Sequence, residues 1–322
     1  MTLSLSLNSL RSKTRYVDGL DHSVSDTAEL ALKPRQLVVD HQLHDGHGEE
    51  NLSISECLNR GVELRLVEDK RCVHCNKGIS STYASAYCFD CANSLAQCDL
   101  CILSPSKCHY HQGTCRDPEW ADEFCMTSHT VYVALTSNTK VGITRSSRLH
   151  QRWIDQGAYA GVAIAQMPTR RAAGVLEWLL SRYISDRTDW RQLVNRPAPQ
   201  VNLLELARQL RDQVADLQVL NDLNENPQVH TQLPAEEVIA AQWIDALQLV
   251  EIQHPLTGYS PAKRLTVNAQ QPYLEANLLG LLGHFLLFDR GVLDLNQHRG
   301  MQIEVTFTDP KTHVQERQAS LF

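Results

Sequence analysis

The cysteines of this chain are concentrated in one stretch, and their spacing is that of a metal site. Nine of the ten lie between Cys72 and Cys125. The first four form two close pairs, with the pattern Cys72-x2-Cys75-x12-Cys88-x2-Cys91. Two pairs of soft thiolates are the ligands that tetrahedral zinc selects, and closed thiolate sites stabilise folds rather than catalyse reactions. We therefore expect a structural zinc ion on these four residues.

Further soft donors follow these four and predict a second zinc ion. They are Cys98, Cys101, Cys108, His109, His111, Cys115, Cys125 and His129. We expect the second site on Cys98, Cys101, Cys108 and Cys115. Two alternatives stay open: Cys125 and His129 replace two of those ligands, or they close another site with one of the earlier histidines. The cysteine pairs can bind in sequence or interleave, and the spacing does not decide between the two. Cys57 stands apart and is predicted to be a small buried apolar residue.

The remaining composition indicates a cytoplasmic protein with no membrane partner. No run of about eighteen apolar residues is present, so no membrane span is predicted. The segment from Met1 to Leu10 alternates Leu and Ser without a preceding basic residue, which is typical of a strand and not of a signal peptide. In a reducing compartment, clustered cysteines favour metal binding over disulfides. The oligomeric state stays open.

The charge of the chain is unevenly distributed. The net charge of −7 argues against a protein that binds nucleic acid along its whole length. Between residues 131 and 191, however, nine Lys and Arg residues face four Asp and Glu residues, so this segment carries +5 and the rest of the chain −12. A basic segment in an acidic protein favours a local site for a polyanion such as nucleic acid. The alternative is a solvated face whose charges pair with one another.

The basic segment also holds the residue types that phosphodiester hydrolysis requires. That reaction needs a polarised water, cations facing the phosphoryl oxygens, and usually a hard metal ion held by a carboxylate. Tyr132 is a candidate to position or deprotonate the water, and Lys140 and Arg152 are candidates to neutralise the phosphate. Glu177 is a candidate ligand for Mg²⁺. The flanking residues expected to bind nucleic acid are Arg145, Arg148, Arg170 and Arg171.

Each candidate also has a structural alternative. A tyrosine in a strand is commonly a packing residue, and Glu177 can simply pair with an arginine. Arg152 precedes Trp153 and can cover its ring.

Hydrophobic periodicity predicts the elements that position these residues, in the order β-β-α-β-α. They are strands at 129–135 and 140–144, a helix at 148–156, a strand at 160–167 and a helix at 169–185. The first two strands form a hairpin around a Ser-Asn-Thr turn. Gly157 suits the end of the first helix, and Thr169 can cap the start of the second.

This segment resembles the GIY-YIG nuclease module. The resemblance rests on Thr130-Val-Tyr132, on Lys140-Val-Gly142 across the hairpin, and on the helical arginine and glutamate that follow. In that family two tyrosines, an arginine and a glutamate surround the scissile phosphate, and the glutamate holds a magnesium ion. The resemblance assigns these roles, in order, to Tyr132, Lys140, Arg152 and Glu177. Lys140 stands where the second tyrosine is usual, and Arg152 lies farther along its helix than in the family.

A wider resemblance covers most of residues 50–308 and relates the chain to an uncharacterised bacterial family, domain-of-unknown-function family 2797. The stretches that carry it are Gly113–Trp120, Lys140–Arg145, Arg152–Ala158, Asp186–Trp190, Tyr259–Pro261 and Leu282–Asp289. This resemblance names relatives and implies no reaction.

The predicted fold class is α+β with four regions. They are a polar leader with a strand (1–70), a zinc-binding module (71–129), a GIY-YIG-like domain (130–198), and helices followed by a small antiparallel sheet (199–322). Within the leader, the run from His41 to Glu50 is predicted to be a loop. In the last region we expect helices at 201–220 and 235–249, a linker at 221–232, and strands within 281–288, 291–295 and 301–307.

The sequence therefore predicts a zinc-stabilised protein that acts on nucleic acid. The first hypothesis is a magnesium-dependent endonuclease with the GIY-YIG-like site. The second is a non-catalytic zinc-containing adaptor that binds nucleic acid or a ribonucleoprotein. A purely protein-binding scaffold would suit the overall acidity. The sequence favours neither DNA nor RNA.

Overall fold

The computed structural model describes residues 2–6, 10–17, 35–44, 51–84, 86–215 and 241–310, which form a mixed α+β fold. The strands are β1 (Thr2–Ser6), β2 (Leu10–Val17), β3 (Arg35–His44), β4 (Asn51–Ser53), β5 (Gly61–Glu68), β6 (His129–Leu135), β7 (Thr139–Arg145), β8 (Ala160–Met167), β9 (Gln242–Trp243), β10 (Leu249–Gln253), β11 (Arg264–Leu265), β12 (Tyr273–Leu282), β13 (Phe285–Phe288), β14 (Gly291–Asp294) and β15 (Gln302–Thr308). The helices are α1 (Phe89–Ser94), α2 (Leu100–Leu103), α3 (Pro118–Phe124), α4 (Leu149–Asp155), α5 (Arg170–Leu180), α6 (Trp190–Asn195) and α7 (Leu203–Ala215).

One sheet joins the beginning of the chain to its end. Its seven strands follow the order β1-β15-β5-β12-β13-β14-β11. Side chains alternate along β15, where Ile303, Val305 and Phe307 are buried and their neighbours half-buried, as expected for a strand with one face on a core. The predicted strands at 291–295 and 301–307 correspond to β14 and β15, whereas 281–288 contains the end of β12, a turn at Gly283 and His284, and β13. All of them belong to this larger sheet, which is not wholly antiparallel because β11 pairs with β14 in parallel.

The other sheet contains the predicted central module. Its main path is β2-β3-β10-β8-β6-β7, with β4 on β3 and β9 on β8. The predicted β-β-α-β-α order is present as β6, β7, α4, β8 and α5. Every residue of β6 is buried because Val131 and Val133 pack in one core with α5 and α7, whereas Tyr132 and Ala134 pack in another with α4.

The two sheets do not follow the predicted regions. Leader strands enter both sheets, and β10, from the predicted C-terminal region, pairs with β8 of the central module. Regions 1–70 and 199–322 therefore complete sheets rather than form separate units.

Two local predictions are wrong for the described residues. Residues 242–243 and 249 are in strands β9 and β10, not in a helix, because Trp243 and Leu247 pack against the core of the central sheet and strand pairing satisfies the backbone. Likewise, 41–44 continue strand β3 between β2 and β4 instead of forming a loop. The helix predicted from 201 is confirmed as α7. The linker at 221–232 and residues 45–50, 216–220 and 235–240 of these predictions lie outside the described part of the chain.

Candidate functional site

The hairpin of β6 and β7 places Tyr132 and Lys140 on the same face of the sheet. Tyr132 lies opposite Gly142, and Ala134 lies opposite Lys140. Because residues two apart in a strand face the same way, Tyr132 and Lys140 share one side. β7 is the last strand of its sheet path, so Lys140 stands at a sheet edge.

Tyr132 is fully buried, with its ring laid across Gly142. A Cβ atom at that glycine would lie 2.5 Å from the Tyr132 hydroxyl oxygen, so any side chain there would displace the ring. The ring also makes an edge contact with Trp153 of α4, with centroids 5.9 Å apart. The hydroxyl donates to Oε1 of Gln156 at 3.3 Å and accepts a hydrogen bond from Arg152. Burial raises the pKa of Tyr132, so the phenol keeps its proton at neutral pH.

Glu177 reaches the same group from α5. The helix begins at Thr169, whose side chain accepts a hydrogen bond from the backbone N–H of Ala172, as predicted. Glu177 is half-buried, and burial raises the pKa of its carboxyl to about 6. The charges of Lys140 and Arg152 act in the opposite direction. Burial likewise lowers the pKa of Lys140, with Arg152 acting in the same direction and Glu177 against it.

The four predicted residues are therefore brought together, but they differ in access. Lys140 and Arg152 line a cleft of about 1020 Å³ whose walls come from both sheets. Tyr132 and Glu177 are not among its lining residues, although both lie within electrostatic range of Arg152. Gln156, which accepts the hydrogen bond of Tyr132, does line the cleft.

The cleft carries charges that the sequence reasoning did not assign to a site. Besides Lys140 and Arg152, its lining contains three further arginines, His284 and three aspartates. The arginines are Arg187, Arg264 and Arg299, and the aspartates are Asp155, Asp186 and Asp294. Asp294 lies 3.7 Å from Arg264 and 3.8 Å from His284. Part of this cleft could have been predicted from the sequence, because the stretches 186–190 and 282–289 both carry the wider family resemblance.

The four flanking arginines fall into two groups. Arg148 is exposed beside α4, whereas Arg145 is half-buried with its guanidinium 4.5 Å from the Phe124 ring centroid. Arg170 donates to the carbonyl of Ile102 at 2.7 Å, and Arg171 is only 4% exposed. Arg170 and Arg171 therefore face the cysteine-rich region. Arg170 is half-buried and Arg171 is buried, which argues against the predicted contact with nucleic acid.

Cys72, Cys75, Cys88 and Cys91 form a tetrad whose sulfur atoms all lie within 4.8 Å of one another. The Sγ atoms of Cys75 and Cys88 are 3.7 Å apart. A tetrahedral ion with Zn–S bonds of about 2.3 Å would hold two sulfurs about 3.8 Å apart. The tetrad can thus hold a metal ion such as zinc.

Local backbone geometry builds the tetrad. Asn76 adopts a left-handed conformation with φ 60°, and its N–H donates to the carbonyl of Cys72, which closes the first turn. Cys88 caps α1 and accepts from the backbone N–H of Cys91 at 3.5 Å. Burial raises the pKa of Cys72, but backbone N–H donors outweigh it and lower that pKa to about 6. A thiolate is therefore accessible at neutral pH.

The other predicted ligands do not form one group. Cys98 is half-buried and lies within electrostatic range of Cys72. His129 is buried, and its Nδ1 pairs with the carbonyl of Thr127 at 2.7 Å; burial lowers its pKa to about 4. Cys101, Cys108, Cys115 and Cys125 lie around α2 and α3. Cys57 is buried in the core of the seven-stranded sheet, as predicted, and burial raises its pKa to about 11.

Fold and site define a mixed α+β protein with a thiol tetrad suited to a metal and a charged cleft between two sheets. The sequence profile of the family described as protein of unknown function (DUF2797) matches residues 59–303, and the chain belongs to that family. Comparison with curated proteins and with solved structures gave no match. Among the described residues, no helix has both the length and the apolar character needed to cross a membrane.

Proposed function

We propose that this protein acts on nucleic acid as a GIY-YIG-like endonuclease, cleaving phosphodiester bonds at the cleft beside Lys140 and Arg152. The observation that carries the proposal is the convergence of Tyr132, Lys140, Arg152 and Glu177 from β6, β7, α4 and α5. Four of the stretches that carry the wider family resemblance also line this cleft, through Lys140, Arg152, Asp186 and His284. Glu177, whose pKa is displaced, lies within electrostatic range of two cations that line the cleft, and displaced pKa values are common at active sites.

The cations of the site are placed to bind a phosphodiester. Arg152 is exposed at the cleft and can pair with two phosphoryl oxygens through its planar guanidinium. Lys140 is 9% exposed and lines the same cleft, so its charge acts where water screens it little.

Glu177 is the residue best suited to accept a proton. With a pKa of about 6 it is mostly ionised at neutral pH and near the optimum for a general base. It would take a proton from the attacking water as the new P–O bond forms. As the original P–O bond breaks, Lys140, whose pKa burial lowers, would donate its own proton to the leaving oxygen. Tyr132 keeps its own proton and would orient Arg152 and Gln156.

A magnesium ion on Glu177 is implied by the resemblance but fits the donor set poorly. Lys140, Arg152 and Arg170 surround this carboxylate, and their charges oppose a divalent cation. Asp186 is the carboxylate that couples with Glu177. We therefore assign no step of the reaction to a magnesium ion. The assay below tests whether cleavage depends on added magnesium.

We also propose that the Cys72–Cys91 tetrad binds structural zinc in the cytoplasm, where thiols stay reduced. Four soft donors in a closed, mostly buried arrangement support this assignment.

The test is a nicking assay with supercoiled DNA and labelled RNA, with and without added magnesium. We expect product strands from the unaltered protein and at least a hundredfold slower cleavage by Glu177→Gln, since a general base contributes about 10²–10⁴-fold. Glu205→Gln, the same change on the exposed side of α7, is the matched control. Zinc content should be the same in the unaltered protein, Glu177→Gln and Glu205→Gln. If Glu177→Gln then cleaves as fast as the unaltered protein, Glu177 is not the general base.

A non-catalytic adaptor is the second candidate. It is favoured because neither Tyr132, which is fully buried, nor Glu177, which is half-buried, lines the cleft. It predicts binding without cleavage and an affinity that falls steeply with salt, since each neutralised phosphate releases counterions. An affinity indifferent to salt would contradict it.

A further inference from the structure

Four thiols line a small void in the second half of the cysteine-rich region. The void measures about 10 Å³, and its lining includes Cys101, Cys108, Cys115 and Cys125. A single water-sized sphere needs about 10–15 Å³. The void therefore has room for one ion and for nothing larger.

The thiols approach one another from four places in the chain. Cys101 lies in α2, and Cys125 follows directly after α3. The thiols of Cys101 and Cys108 are hydrogen-bonded, and Cys125 lies within electrostatic range of both Cys108 and Cys115. Cys108 and Cys125 are 7% and 5% exposed. Thiols from four positions in the chain thus line one void without forming disulfides. No three of their sulfur atoms lie within 4.8 Å of one another, so a bound ion would draw them closer together.

The elements around the void need an added constraint. Helix α2 has four residues and α3 has seven, and isolated helices of that length are not stable in water. A metal ion bound by four side chains would tie these short elements together, as structural zinc does in small domains.

Two arginines next to the void, the half-buried Arg170 and the buried Arg171, favour negative charge on the thiols. Arg170 lies within electrostatic range of Cys101 and Cys125, and Arg171 within range of Cys108. Buried guanidinium groups require nearby negative charge to offset their desolvation. Four thiolates around a divalent ion carry a net charge of −2 and would supply it.

Three other nearby donors are less suitable as ligands, for reasons other than distance alone. Cys98 is not part of the lining. Asp99, Cys101 and His109 have ligand atoms within 4.8 Å of one another, but Asp99 is already bound to Arg116 Nε at 2.7 Å and lies 3.5 Å from His109. Such paired groups suit the second sphere of a metal site, where they orient the ligands.

We propose that Cys101, Cys108, Cys115 and Cys125 bind a second structural zinc ion in a closed four-thiolate site. The proposal does not depend on the enzymatic function. It replaces Cys98 of the sequence-based ligand set by Cys125, because proximity in the fold and not spacing in the chain selects the ligands.

The test is the metal content of the full-length chain, purified under reducing conditions and measured by mass spectrometry. We expect two zinc ions per chain, and one after Cys108→Ser or Cys125→Ser. Cys98→Ser, the same change three residues from Cys101, and His109→Ala should both keep two. Cys115→His retains a zinc ligand, so it should keep two ions and shift the visible bands of the Co²⁺-substituted protein to shorter wavelength.

Other results would overturn the proposal. One zinc ion per chain in the unaltered protein would do so, as would two ions in Cys125→Ser with one in Cys98→Ser. If Cys108→Ser does not fold, the proposal can still be tested by comparing the unaltered protein with Cys115→His. Identical Co²⁺ spectra of these two proteins would exclude Cys115 as a ligand.

Discussion

The two groups of cysteines are attached to different halves of the molecule. Next to the tetrad, the N–H of Arg71 donates to the carbonyl of Gly300, just before β15 of the seven-stranded sheet. The second group is attached to α5 of the other half, where the N–H of Arg170 donates to the carbonyl of Cys125 at 2.8 Å. One continuous cysteine-rich segment therefore connects both halves, and each half contributes a wall of the cleft.

This difference gives the two groups separate consequences for the site. Val73, next to Cys72, lines the cleft, whereas Cys125 of the second group accepts a backbone hydrogen bond from Arg170 of α5, the helix that carries Glu177. The second group holds the beginning of that helix. Loss of the tetrad should disturb one wall, whereas loss of the second group should displace the carboxylate.

The largest effect is expected from Cys72→Ser. Apparent zinc binding energies of about 10–16 kcal/mol exceed the stability of most domains, so residues 72–98 should unfold locally. Hydrogen exchange measured by mass spectrometry should show at least tenfold faster exchange there, with α5 still protected. Cys57→Ala is the control, since Cys57 lies in an apolar core and should keep all bound zinc. Equal loss of protection in α5 would show that the two groups act as one.

An intermediate effect is expected where α5 packs on the second group. A Cβ atom at Gly174 would lie 2.5 Å from Cβ of Pro105 and 2.9 Å from the backbone N of Ser106. Gly174→Val should therefore destabilise the protein by about 3 kcal/mol through overpacking, measured by urea unfolding. Gly258→Val is the matched control, because the nearest atom there is 4.0 Å away. A loss below about 0.5 kcal/mol at Gly174 would mean that α5 is not fixed by this contact.

The central module could be predicted from the sequence because its strands and helices are set by interactions between residues close together in the chain. Alternation along β6 and β7 and the helical periods after them are set by neighbouring residues, and hairpin pairing then places Tyr132 and Lys140 on one face. Gly142 was a usable signal as well, since a glycine inside a strand marks a close approach of another group.

The remainder depends on contacts between distant residues, which periodicity cannot show. Arg264, His284 and Arg299 reach the cleft from a sheet completed by β1 and β5. The short spacing between paired cysteines correctly indicated the tetrad, because the two cysteines of each pair lie within one turn of the backbone. It did not show that Cys98 lies outside the lining of the void.

The smallest effect tests how the second group sets the environment of Glu177. Burial raises the pKa of this carboxyl to about 6 from its usual 4.5, so the folded state holds the proton more tightly than the unfolded chain. Stability contributed by Glu177 is therefore fully present below pH 4.5 and is lost as the pH rises to about 6, at a cost of about 2 kcal/mol. Glu177→Gln lacks this titration.

We accordingly expect Glu177→Gln to gain about 2 kcal/mol of stability relative to the unaltered protein between pH 4 and pH 7, measured by urea unfolding at several pH values. Buried histidines such as His254 also titrate in this range, but they are common to both proteins and cancel in the difference. The same difference measured in the Gly174→Val background should shrink, because a loosened α5 exposes the carboxyl. A difference that stays constant with pH would show that the environment of Glu177 does not disfavour its charge.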